Sequence, residues 1–227
     1  MRPTRLACAA WLVGLLLIPG AVWGQSAATP TLPETIPIFP LPDAVLFPNV
    51  SLGLFIFEPR YRTMLDDAMK GDGIIGMVQL KPGWEANYTG RPPINPIGCA
   101  GVITQAEGTA DGRIRVVLQG LVKFRVTGEE TGRTYRLARV DALPEEPDEQ
   151  ERAALSKQRQ RLQALLTSPD AGSQRTLPDV SDEELINAFS QYLNVSAPER
   201  QALLERPGLL SRSERLIELM EKLKGER

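Results

Sequence analysis

The sequence predicts an α+β protein in which a closed or nearly closed β-barrel with one early helix precedes a C-terminal α-helical bundle. Three observations carry this expectation. Apolar and polar residues alternate over much of residues 36–143, the two-residue period of half-buried strands. A single stretch in that region, opening at Pro59, shows a 3.6-residue apolar stripe instead. Beyond an acidic, proline-containing hinge at 144–151, the 3.6-residue period takes over.

The elements follow in order. Prolines hold 36–42 extended, and Ala44, Val45, Leu46 and Phe47 form a short buried run. Residues 51–57 are strand-like. Pro59 then opens a helix whose face is Tyr61, Met64, Leu65, Ala68 and Met69, ended by Gly71 and Gly73. Residues 74–80 return to strand, and 81–96 form a long loop with four prolines. Asp111-Gly112 between two apolar runs marks a hairpin, because both residues tolerate positive φ. Ile114, Val116 and Leu118 alternate with polar neighbours until Gly120, which is expected to break the strand; Val122, Phe124 and Val126 resume the pattern, and 135–140 is a further strand. Helices are expected at 149–167, from Ser181, at 197–205 and at 211–222, with Ser181 and Glu184 as a capping box. The helices are expected to pack on the barrel.

Composition narrows the function. The chain has 227 residues, of which 42% are hydrophobic and 24% charged, with net charge −2. That is ample for a core and too close to neutral for a protein built on phosphate neutralisation. There is no histidine. Ser-His-Asp and Cys-His catalysis and His-ligated zinc are thereby excluded, since each needs a neutral imidazole. No G-x-x-x-x-G-K-[ST] phosphate loop is present.

Residues 1–24 read as a cleavable signal peptide. Arg2 and Arg5 precede an apolar run at 6–18, and small Gly24 suits cleavage before Gln25. The run is shorter than the ~20 residues of a spanning helix, so membrane contact is expected only if the signal stays uncleaved as an anchor. A periplasmic or secreted location is expected. Cleavage would remove both arginines, moving the balance from −2 to −4, and would leave Cys99 as the sole cysteine. Residues 25–35 are then a linker, 36–143 the barrel and 144–227 the helical subdomain.

The run at 36–65, IPIFPLPDAVLFPNVSLGLFIFEPRYRTML, resembles the opening of the N-terminal substrate-binding domain of Lon proteases. Its I-P-L-F-P-L, V-L-F-P and I-F-E-P-R-Y segments occur here in order. Gly98-Cys99, Asp111-Gly112-Arg113, LQGLVKF at 118–124, Tyr135, QALLE at 201–205 and Arg215-Leu216 extend the similarity across about 36–223. Lys123 stands where the family usually has arginine, and the 81–96 loop has no clear counterpart. The resemblance implies a PUA-like β-barrel followed by helices, contact with substrate polypeptides, and no proteolysis by this chain, whose sequence stops where the ATPase and peptidase domains of Lon would start.

Catalytic readings of the residues are weak. Ser156 and Lys157 are helix neighbours and do not face each other. Cys99 lies among apolar residues and is expected to be a small buried side chain. Glu58 and Arg60 are expected to serve the helix start. No metal or cofactor is expected. Binding remains, with unfolded polypeptides or a protease or chaperone partner as the expected ligands. Trp84 and Tyr88 are candidate peptide contacts, with Phe47 and Phe55 beside them; the alternative is that Trp84 and Tyr88 tuck back to hold the loop. A second reading is nucleic-acid binding by a PUA-like barrel through Arg113, Arg115, Lys123, Arg125, Arg133, Arg136 and Arg139.

Overall fold

Strands form where the two-residue period predicts them. A computed structural model describes residues 31–166 and 177–225, so the expected signal peptide lies outside the described residues. The strands are β1 (Thr35–Leu41), β2 (Ser51–Ile56), β3 (Ile74–Gln79), β4 (Ile97–Gly108), β5 (Ile114–Glu130) and β6 (Arg136–Ala142). Their order is β2-β5-β4-β3-β1-β6, and β6 also pairs with β5. Five strands therefore close a ring, and β2 adds to the first half of β5 outside it. Only the β1–β3 pairing is parallel. Each ring strand sends small or branched residues inward, and Ile36, Ile38, Val78, Ala100, Phe124, Ala138 and Val140 form one cluster.

Two expectations change here. Gly120 does not break the strand: β5 runs through it for 17 residues. The glycine is instead a crossing point. Asn49 N–H donates to its carbonyl at 3.0 Å and its own N–H donates to Val50 O at 2.9 Å. A Cβ there would overlap the Phe47 carbonyl oxygen and sit 2.9 Å from the carbonyl carbon. The buried run at 44–47 is not a strand either. The Phe47 N–H at its end is satisfied by a helix side chain, described below.

Helix α1 (Pro59–Lys70) buries Tyr61, Met64, Leu65 and Ala68; Met69, expected on the same face, is 55% exposed. The C-terminal helices are α2 (Glu149–Leu166), α3 (Asp182–Tyr192), α4 (Ala197–Leu204) and α5 (Leu209–Gly225). The Ser181 hydroxyl accepts from Glu184 N–H, but the return bond of a capping box is not made. The complete box is at α4, where Ser196 accepts from Glu199 N–H and the Glu199 carboxylate accepts from Ser196 N–H. Such caps contribute about 1 kcal/mol each.

Barrel and helices share one core. Phe39, Leu46, Phe47, Ile56 and Leu118 belong to the same buried cluster as Leu155, Leu185, Leu203, Leu216 and Ile217. Polar side chains reinforce the junction. Phe47 N–H donates to Gln191 Oε1 at 3.0 Å, Asn187 Nδ2 donates to Pro48 O at 3.1 Å, and Gln201 Nε2 donates to Ile97 O at 2.9 Å. The amides of α3 thus take the place of a neighbouring strand for the 47–51 segment.

The hinge at 144–151 is not fully solvated. Glu145 is buried between Lys123 Nζ, at 2.5 Å, and Arg212 Nη2, which straddles its oxygens at 2.9 and 2.7 Å. Only the contact with Oε1 has hydrogen-bond geometry. Arg212 is 0% exposed and also donates to Asn187 Oδ1 and Leu203 O. Lys123 donates to Arg206 O as well. Burial lowers the Lys123 pKa, with Glu145 opposing the shift.

Glu183, on the first turn of α3, has its pKa raised first by burial and then by the Glu145 charge. The folded protein therefore holds this proton more tightly than the unfolded chain. The favourable contribution is present in acid and is lost as pH rises through the folded pKa. Glu183→Gln is accordingly expected to stabilise the protein at pH 7 and to leave it unchanged near pH 4. Urea denaturation at both values checks this, and an equal shift at the two would refute it.

Candidate functional site

The 81–96 loop leaves and rejoins the barrel side by side, because Leu80 bridges Ile94 and Lys81 N–H donates to Pro93 O. Within it, Trp84–Asn87 form a short 3-10 turn that brings Trp84 edge-on to Tyr88, with ring centroids 5.3 Å apart. Tyr88 then folds onto the start of α1. Its hydroxyl donates to Glu58 Oε1, and its carbonyl accepts from Arg60 Nη1 at 3.2 Å. The Arg60 guanidinium lies 4.7 Å from the Tyr61 ring and 4.8 Å from the Tyr88 ring. Of the two readings of this pair, the structure displays the tucked one for Tyr88. Trp84 is half-buried and lines a hollow of about 320 Å³ beside Pro42, Pro82 and α4.

Glu58 precedes α1 as its N-cap but makes no side-chain cap; its carboxylate is committed to Tyr88 and Arg60. Burial first, and Glu58 second, raise the Tyr88 pKa. Burial also pushes Tyr61 up to about 12, against the pull of Arg60. Both hydroxyls are protonated donors near neutral pH.

The other two candidates part company. Phe47 is 0% exposed, inside the core shared by barrel and helices, so it is not a surface contact. An apolar run reads alike whether it faces ligand or core, which is why sequence alone could not separate these outcomes. Phe55 is 48% exposed on β2, with the Arg113 guanidinium 4.7 Å from its ring. Phe57, missed in the sequence, is 61% exposed just beyond it. Its signal was present in the alternation, since it shares the Phe55 face.

β2 also has an open edge. It ends the strand order, and among the described residues no strand pairs with its outer side. Val50 is bonded to Gly120, so alternation makes Leu52, Leu54 and Ile56 the residues that bond to β5. The N–H and C=O groups of Ser51, Gly53 and Phe55 therefore point outward. Ser51 O is taken by Gln191 Nε2 at 2.9 Å and the Tyr192 hydroxyl at 2.6 Å. Gly53 and Phe55 remain exposed, and a Cβ on Gly53 would meet nothing within 4 Å.

The basic series does not form a continuous stripe. Lys123 is buried on Glu145 and Arg136 on Glu129, while Arg113, Arg133 and Arg139 pair with Asp111, Asp67 and Glu130. Ion pairing at five of the seven positions removes most of the charge that phosphate binding would use. Cys99 is fully enclosed, and burial pushes its thiol far above the ordinary range. Among the described residues no group of three or more His, Cys, Asp or Glu could hold a metal ion.

Residues 35–222 match the family model of the ATP-dependent protease La (LON) substrate-binding domain. The chain belongs to the LON substrate-binding domain family. A Lon protease of Flavobacterium johnsoniae is 31% identical over 191 residues, covering 80% of this chain and 23% of the relative. One from Desulfosudis oleivorans is 33% identical over 100 residues, covering 44% and 12%. The chain thus spans a quarter or less of the length of these relatives. The N-terminal domain of Mycobacterium avium complex Lon protease superposes with a TM-score of 0.62 at 18% identity, covering 83% of this chain and 98% of that one. A Lon N-terminal domain protein from Xanthomonas campestris gives 0.56 at 19%, covering 81% and 96%. These likenesses establish a shared mixed α+β LON-domain fold.

Proposed function

We propose that this LON-domain chain is a non-catalytic polypeptide-binding module with a PUA-like barrel, acting outside the cytoplasm on unfolded segments or alongside a protease or chaperone. The exposed β2 edge carries the reading. An extended segment laid against Gly53 and Phe55 would gain backbone hydrogen bonds there, and its side chains would meet Phe55 and Phe57 on one face. Family membership supports a polypeptide as the ligand class, and the pattern of residues 1–24 supports the location.

Because the edge offers few bonds, affinity is expected to be modest, around micromolar, or about −8 kcal/mol. Fluorescence anisotropy with an extended apolar peptide tests this. Phe55→Ser with Phe57→Ser is expected to weaken binding at least about tenfold, roughly 1.4 kcal/mol. A peptide of the same composition with proline at alternate positions, lacking the N–H donors, should bind poorly. Wild-type curves that stay flat to millimolar peptide would refute the proposal.

A further inference from the structure

A pocket of about 250 Å³ opens where the start of α1, the 81–96 loop and the turn before β6 meet. Four arginines, Arg60, Arg91, Arg133 and Arg136, line it, and no acidic residue does. Their partners Glu58, Glu129 and Asp67 are not among the lining residues. Lys70 also lies 3.9 Å from Asp67, so five cations share three anions and the surroundings of the pocket are net positive.

Two of the arginines are held in place before any ligand arrives. Arg60 is sandwiched between the Tyr61 and Tyr88 rings, and Arg136 spends its nitrogens on Glu129 and Pro92 O. Donors are nonetheless left over. Tyr61 is 4% exposed, lines the pocket, and its hydroxyl makes no hydrogen bond among the described residues. Arg133 uses only Nη1, on Asp67, and its other nitrogens are free. That hydroxyl is open to an acceptor entering the pocket, and Arg60 Nη2, buried and without a hydrogen bond, is a further donor on a lining residue.

We infer that this pocket receives a carboxylate group carried on a polypeptide, accepting from the Tyr61 hydroxyl and Arg133. The inference rests on the polypeptide-binding reading above and assigns it a second, polar contact. The positive excess suits an anionic group. The volume exceeds what a bare anion needs, and Pro40, Leu80 and Pro92 in the wall suit the apolar part of a residue that bears the carboxylate. A chain terminus and an acidic side chain present the same chemistry.

The experiment uses the full chain and three labelled hexapeptides of one apolar sequence: the free acid, its C-terminal amide, and the amide with an internal aspartate. The free acid is expected to bind at least about tenfold more tightly than the plain amide. Tyr61→Phe keeps the ring that packs on Phe39, with centroids 4.4 Å apart, and so preserves the fold; this variant and Arg133→Gln should each close the gap. Phe55→Ser with Phe57→Ser should weaken acid and amide alike and leave the gap intact. If the aspartate peptide equals the free acid, the pocket reads carboxylates generally; if it equals the amide, the pocket reads chain ends. Either result supports the inference. Acid and amide binding alike in the wild type would overturn it while leaving the β2-edge reading in place, whereas no binding by any peptide would overturn both. Inorganic phosphate displacing the acid peptide more effectively than acetate would also overturn it.

Discussion

Arg212→Ala is expected to destabilise the protein by about 3 kcal/mol, because it leaves the buried Glu145 carboxylate with only one of its two cations, Lys123, and removes the donor to Asn187 Oδ1. For a domain of this size that is a large share of the usual 5–15 kcal/mol, and it corresponds to a fall in Tm of roughly 10 °C. Thermal and urea unfolding would read it directly. The cost comes from breaking the set, not from lacking it. Lys123→Met, Glu145→Leu and Arg212→Met together leave no orphaned charge and should recover most of the loss. A single-variant change below about 1 kcal/mol, or a triple variant worse than the single one, would contradict the account.

Gly120→Ala is the second large effect, expected to cost about 3 kcal/mol or more. The added methyl would overlap the carbonyl group of Phe47, and backbone cannot escape by changing rotamer. Relief would require parting β5 from the segment that precedes β2, breaking the two Gly120 hydrogen bonds there. Gly53→Ala is the matched comparison, since its methyl meets only open space. It should shift stability by no more than about 0.5 kcal/mol. Similar values for the two variants would show that the crossing is not tight.

The periodicities carried most of the fold. Alternation placed the strands and the 3.6-residue stripe placed α1, because both report which side of an element is buried. Gly120 was misread because a glycine that permits close approach and one that ends a strand look the same in one dimension. The place of Glu145 was hidden for a related reason. A glutamate among acidic residues and prolines looks solvated until Lys123 and Arg212, from 22 and 67 residues away, are brought around it. The site was legible in part. Trp84 and Tyr88 stood out as large rings in a proline-rich loop and Phe55 lay in the strand-like run at 51–57, but Tyr61 is hidden in the core stripe of α1, where its ring belongs. Only geometry shows that its hydroxyl reaches a pocket.

The reliance of the 47–51 backbone on Asn187 and Gln191 fixes when this chain can fold. During synthesis, the early segment has no acceptor or donor for those peptide groups until α3 emerges, and Glu145 has no guanidinium until Arg212 follows. A nascent chain cut short anywhere before that point should stay open to proteases and remain slack enough to thread through a narrow channel. The lock arrives only with α3 and α5.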